Sequence, residues 1–215
     1  MKAFTFLFST LILILILSTK LTSTFNDRLI VFWLLFNIFI GYIEAKMFLN
    51  QNTMSKKKEE YDKNPYFYEK NYSLSELKTD FAVDGFLEYV RHSGDTRYIE
   101  TNKGDFVTWL EMLNAIISLI FSSIIIFGIV TKKINILIIA ILVLILSSMQ
   151  LYGTVLYFLS YYTKVNSDKV DKGIKWVIHL FLFNLPWIVV PLILIQYYSK
   201  IIVNLINIKI LMRIY

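Results

Sequence analysis

Glu44 and Glu111 each interrupt a long apolar run that reads as a membrane span. A carboxylate in hydrocarbon is costly, so an ionisable side chain there marks a functional site by default. The two runs are consecutive spans and therefore cross in opposite directions. Glu44 lies about five residues before one run ends, and Glu111 about five residues after the next begins, which at ~1.5 Å per residue puts each carboxyl roughly 7–8 Å inside the same membrane face. Two carboxyls at one depth can deliver a proton to one carbon and remove a proton from another.

Polar neighbours follow helical spacing around this pair. Thr108, Glu111 and Asn114 share one face, and Asn37 lies two turns from Glu44 on another. Asn184 and Trp187, at i and i+3, face one way deeper in the last span, with Pro186 and Pro191 flanking Trp187 and able to kink the helix or release a carbonyl. His179 falls at about the depth of the glutamates, and Gln150, Tyr152 and Tyr157 of the fourth span are candidates to line the same cavity. The pattern describes a pocket that is acidic at one end and aromatic deeper in. Hydrogen bonding between helices is the plainer role for Asn37, Asn114 and Asn184. The chemistry that fits the pocket reading is the shift of a double bond in an apolar molecule, through a carbocation that an indole face attracts.

These residues need a membrane bundle to hold them. The 215 residues are 56% hydrophobic with mean hydropathy +0.57, more apolar than a soluble domain of that length. Runs such as 134–146 have no polar stripe, as expected of membrane helices. We expect an all-α, polytopic bundle of five transmembrane helices at about 3–18, 29–49, 106–130, 134–161 and 175–199. Residues 1–27 form a first helix (or signal anchor) and short loop, 28–199 the main domain, and 200–215 an apolar tail lying along the membrane surface. Lys2, the apolar core behind it and Ser18-Thr19 also fit a cleaved signal peptide. Residues 50–105 read as a solvated loop, opening on Lys56-Lys57-Lys58-Glu59-Glu60. In it Tyr66-Phe67-Tyr68 dips into the interface, 84–98 forms a short amphipathic helix ending at Gly94, and Asn71-Tyr72-Ser73 is a sequon.

Composition excludes other classes. The net charge of +6 sits in loops and tail and suits headgroups, with no basic-aromatic stripe for nucleic acid. There is no cysteine, and the two histidines lie far apart, so thiol chemistry and a metal cluster are not expected. No phosphate-cradling glycine loop is present. A small transporter or channel subunit fits less well, because the polar groups gather at one depth and do not line a path.

Several stretches, taken in order, resemble the emopamil-binding protein family, the sterol Δ8–Δ7 isomerases of the EXPERA domain group. They are Ile43-Glu44, Glu88-Tyr89 followed by Gly94-Asp95-Thr96-Arg97-Tyr98-Ile99, Glu111, Gln150-x-Tyr152-Gly153 with 155–159, and Phe183-Asn184-x-x-Trp187 with Pro191. The resemblance covers about 29–199. It implies Glu44 and Glu111 as acid/base carboxyls, Asn184 orienting one of them, and Trp187 steadying the cation. Asn114, Thr108, Tyr152, Tyr157 and His179 would contact substrate. It further implies a multi-pass protein of the endoplasmic reticulum membrane, a sterol substrate, cationic amphipathic amines as inhibitors, a homodimer as a possible assembly, and no metal or organic cofactor. Two positions depart from the family. Ile40 stands where it has a histidine, one turn before Glu44, and Asn114 stands in place of a threonine. We expect His179 to supply the missing imidazole. A non-catalytic sterol- or amine-binding protein of the emopamil-binding-like type is the alternative reading.

Overall fold

The computed structural model describes residues 1–93, 95–99, 106–165, 182 and 184–214. Among these the chain is helical, and its only β-type pairing is an isolated bridge between Lys2 and Asn71. The helices are α1 (Ala3–Leu21), α2 (Phe25–Leu49), α3 (Gln51–Lys63), α4 (Leu74–Ser93), a 3-10 turn (Thr96–Tyr98), α5 (Phe106–Thr131), α6 (Ile136–Val165) and α7 (Pro186–Ile214). Five of them, α1, α2, α5, α6 and α7, are long and apolar enough to cross a membrane. His179, Phe183, Gly94 and the expected start of the fifth span at 175–181 lie outside the described residues.

Helix ends follow local chemistry. Thr24 caps α2, accepting from the Asp27 amide at 3.2 Å. Lys132, at φ 55°, closes α5, and its amide donates to the Gly128 carbonyl. Asn135 then opens α6, its side-chain oxygen accepting from the Leu137 amide at 2.8 Å. Pro186 takes the first position of α7, where its missing N–H costs nothing. Pro191, inside α7, has no N–H to give the Trp187 carbonyl four residues back. The tail expected to lie on the surface instead continues α7 without a break to Ile214, because nothing between Ile201 and Met212 interrupts a helix.

The helices α2 and α5 pack most closely, in opposite directions. A Cβ placed on Gly41 would sit 3.2 Å from the Ala115 carbonyl oxygen and 3.3 Å from its Cα. Small residues let backbones approach in this way, and the crossing lies one turn from both Glu44 and Glu111. Gly41→Val should therefore destabilise the bundle by about 1–3 kcal/mol through overpacking and spread the two carboxyls. A thermal melt in detergent checks the first effect, and unchanged stability would contradict the close crossing.

The stretch 50–105 is not a solvated loop. Its described residues fold into a cap over one end of the bundle, and α4 begins ten residues before the expected helix. The reason is a capping box: the Ser73 amide donates to Glu76 Oε2 at 2.8 Å, and the Glu76 amide donates to Ser73 Oγ at 3.3 Å. Two buried carboxylates one turn apart on α4 then gather the tyrosines. Asp84 accepts from Tyr66, Tyr72 and Lys70 at 3.0–3.2 Å. Glu88 accepts from Tyr61 at 2.6 Å and from Arg91 at 2.6 Å. Phe67, expected at the membrane interface, is instead buried in the cap core against Phe81 and Tyr72.

These bonds make the cap acid-sensitive. The Ser73 amide and hydroxyl hold the Glu76 carboxyl down to about 2. Burial would raise Glu88, but hydrogen bonds from Arg91 and Tyr61 outweigh it and hold that carboxyl below its usual range. A carboxyl depressed in the folded state contributes stability that is whole above its unfolded value of about 4.3 and is lost as pH falls through the folded value. Melting temperature should therefore fall as pH drops from about 4.3 toward 2, and Glu76→Gln with Glu88→Gln should flatten that slope. An unchanged slope in the double variant would assign the acid sensitivity elsewhere.

Candidate active site

Between the cap and the bundle lies a cavity of about 370 Å³, within the usual range for small-molecule sites. Each element contributes at helical spacing. From α2 come Ile40, Ile43 and Glu44, and from α5 Leu110, Glu111 and Asn114. The helix α6 presents Gln150, Gly153, Thr154 and Tyr157, at i, i+3, i+4 and i+7. The cap side is α4, with Phe81, Gly85, Glu88, Tyr89 and His92. Asn184 and Trp187 line the remaining wall.

Glu44 and Glu111 thus share one cavity. Asn114 Nδ2 donates to Glu44 Oε2 at 3.4 Å, and the Tyr98 hydroxyl donates to Glu111 Oε1 at 2.8 Å. Burial, and then the charge of Glu111, hold the Tyr98 phenol well above its usual range, so it stays a donor. The Tyr89 hydroxyl bonds to Tyr157 Oη at 2.9 Å and to the Asn184 side chain. Asn184 therefore engages Tyr89, whereas the expectation was that it would orient a glutamate.

The turn carrying Tyr98 is fixed by a buried ion pair. Asp95 and Arg97 are 1% and 2% exposed. Arg97 donates to Asp95 through Nε at 2.7 Å and Nη2 at 2.5 Å, and through Nη1 to Ser160 Oγ at 2.7 Å. Its guanidinium lies over the rings of Tyr157 and Tyr161, 4.9 and 5.1 Å from their centroids. Tyr157 closes the circuit, donating to Asp95 Oδ2 at 2.9 Å. One charged turn thereby ties the 3-10 segment to α6 and aims Tyr98 at Glu111.

Other expected residues fall differently. Thr108 does not line the cavity. It is fully buried beneath it and accepts a hydrogen bond from Gln51 Nε2 at 3.2 Å. Tyr152 is on the outer face of α6, 64% exposed. The expectation that it meets substrate fails because it lies two residues, about 200° around the helix, from Gln150. Asn37 acts as helix glue, accepting from Gln150 Nε2 at 2.6 Å and donating to the Trp33 carbonyl at 2.8 Å. The imidazole at the cavity among the described residues is His92, whose Nε2 lies 2.7 Å from Glu88 Oε1.

Sequence reasoning missed the roles of Tyr89, Asp95, Arg97, Tyr98 and His92. Four of them sit in motifs noted in the chain, but the contacts that tie Tyr89, Arg97 and Tyr98 to the cavity wall run to α5, α6 and Asn184, and no spacing along the sequence reveals those. A family model described as EXPERA, the expanded EBP superfamily, matches residues 87–197. That range includes Glu111, Asn184 and Trp187, and Glu44 precedes it. No curated protein matches the chain.

Proposed function

We propose, since the chain belongs to the EXPERA superfamily, that its cavity is the site of a sterol isomerase that moves a ring double bond from C8–C9 to C7–C8. The single observation that carries this reading is the meeting of two carboxyls in one cavity walled by apolar side chains and Trp187. The chain is a multi-pass membrane protein, and its substrate, on this reading, is a lipid taken from the bilayer of the endoplasmic reticulum.

The steps balance without a co-reactant. One carboxyl gives its proton to C9, leaving a tertiary cation at C8. The other carboxyl takes a proton from C7, and the C–H electron pair becomes the C7–C8 double bond. The proton account closes through solvent. We assign Glu111 as the base, because a short O–H donor from Tyr98 keeps that carboxyl in the accepting role, and Glu44 as the acid. Trp187 faces the cation. Tyr157, Asn114 and Asn184 shape the pocket. Cationic amphipathic amines would bind as mimics of the C8 cation.

One observation favours a second reading, a sterol- or amine-binding protein without catalysis: Ile40, an apolar side chain, lines the cavity one turn from Glu44 where the family has a histidine. Expression in a host strain lacking its own Δ8–Δ7 isomerase separates the two. Restored Δ7 sterols support the enzyme. Good expression and retained binding of a labelled amine, with no Δ7 sterol, support the binding protein.

A further inference from the structure

Tyr89, Tyr157 and Asp95 form a row of hydrogen bonds at the cavity wall, and the direction of each bond follows from counting protons. Asp95 is buried and paired with Arg97, so its carboxylate only accepts. The Tyr157 hydroxyl gives its one proton to Asp95 Oδ2 at 2.9 Å. Its oxygen must therefore accept in the 2.9 Å contact with Tyr89, which uses the Tyr89 proton. Tyr89 then has only lone pairs to offer the Asn184 side chain, to which it is also hydrogen-bonded. Asn184 must meet it with the amide nitrogen, the one donor end of that side chain.

An asparagine amide is a dipole whose two ends have nearly one shape, and its neighbours decide which end is presented. With Nδ2 turned to the Tyr89–Tyr157 row, the carbonyl end is turned away from it. Tyr89, Asn184, Trp187 and both glutamates line one cavity. We propose that Tyr89 is a positioning residue: it fixes the Asn184 amide so that Oδ1 faces the cationic centre of the bound ligand. A carbonyl oxygen attracts the C8 cation, or an ammonium standing in for it, whereas the reversed amide would present N–H groups of the wrong sign. Asp95 sets the direction of the row from its far end, because its carboxylate can take a proton bond and cannot give one. The proposal rests on the isomerase reading for its ligand and adds to it a preference for the charged intermediate over the neutral sterol.

Charge selectivity provides the test, because it can be measured with or without turnover. A sterol with nitrogen in place of C8 mimics the cation when protonated, and the Δ7 sterol is its neutral counterpart. Both are titrated into the purified full chain in detergent, and the aza-sterol should bind more tightly. Tyr89→Phe, which keeps the ring and removes the hydroxyl, should cut that preference about tenfold, with the Δ7 sterol bound as before. Asn184→Leu should cut it as much. Tyr89→Phe added to Asn184→Leu should cut it no further, since Tyr89 acts through Asn184. In turnover, kcat should fall with the preference while KM for the Δ8 sterol holds. A preference that survives Tyr89→Phe, equal weakening of both ligands, or losses that add in the double variant would each overturn the proposal. A parent protein that converts no Δ8 sterol would instead sink the isomerase reading, and the binding ratio would still decide the role of Tyr89.

Discussion

Glu111→Gln and Glu44→Gln should each lower sterol conversion by about 10²–10⁴-fold, the usual contribution of a positioned acid or base. Glutamine matches glutamate in shape, so the cavity should persist and substrate should still bind. Each variant separates the two halves of the chemistry. Without the Glu44 proton no cation forms. Without the Glu111 acceptor a cation has nowhere to lose its C7 proton. The double variant should be no slower than the slower single one by any large factor, because groups acting in one sequence are not additive. Conversion at the native rate in the double variant would remove the acid/base account. Binding of a cationic amine provides the control: it should persist in the glutamine variants if the fold is intact, though weakened where the lost carboxylate faced the cation.

Arg97→Ala should be the most destabilising single change outside the spans, at about 3–5 kcal/mol. Asp95 would keep its charge in a buried position without the guanidinium, held by neutral donors such as the Tyr157 hydroxyl and the backbone amide of residue 97. The Tyr157 and Tyr161 rings would also lose the guanidinium above them. Tyr98 belongs to the same turn, so its hydrogen bond to Glu111 should loosen as well, and conversion should fall together with stability. Arg97→Lys should recover part of the charge but not the paired bonds to Asp95. Replacing both members, Asp95→Asn with Arg97→Leu, should cost less than Arg97→Ala alone, since no unpaired charge remains. Thermal melts of the three variants in one detergent check the order, and an Arg97→Ala protein as stable as the parent would contradict a buried ion pair at this turn.

The spans were legible because hydrocarbon leaves few solutions. A run such as 106–130 without a polar stripe has to be a helix, and α5 is found at Phe106–Thr131. Residues that act across one helix face were legible for the same reason. Glu111 and Asn114 line the cavity as their spacing required, though Thr108 does not, and Asn184 and Trp187 line it from either side of a turn at Leu185, where their spacing implied one unbroken helix. The cap was not legible. Polarity alone made 50–105 look solvated, but its carboxylates, Asp84 and Glu88, are buried because tyrosines from other segments satisfy them. One signal was available: Ser73-x-x-Glu76 ahead of an apolar-periodic stretch marks a helix start, and it would have opened α4 at the right place. Tyr98 carried no such signal, because its partner Glu111 lies thirteen residues on, in a different helix. Tyr152 shows the opposite error. A motif placed it near Gln150 in sequence, and helical geometry placed it on the other side of α6.

On the proposed mechanism the cavity adds one proton from solvent to the ring alkene and removes another. Purified protein given a Δ8 sterol in heavy water tests it most directly. The product should be a Δ7 sterol carrying one deuterium, at C9, with none incorporated by the Glu44→Gln variant. A Δ7 product without solvent deuterium would mean an internal hydrogen shift, and it would contradict the assignment of Glu44 and Glu111 as acid and base.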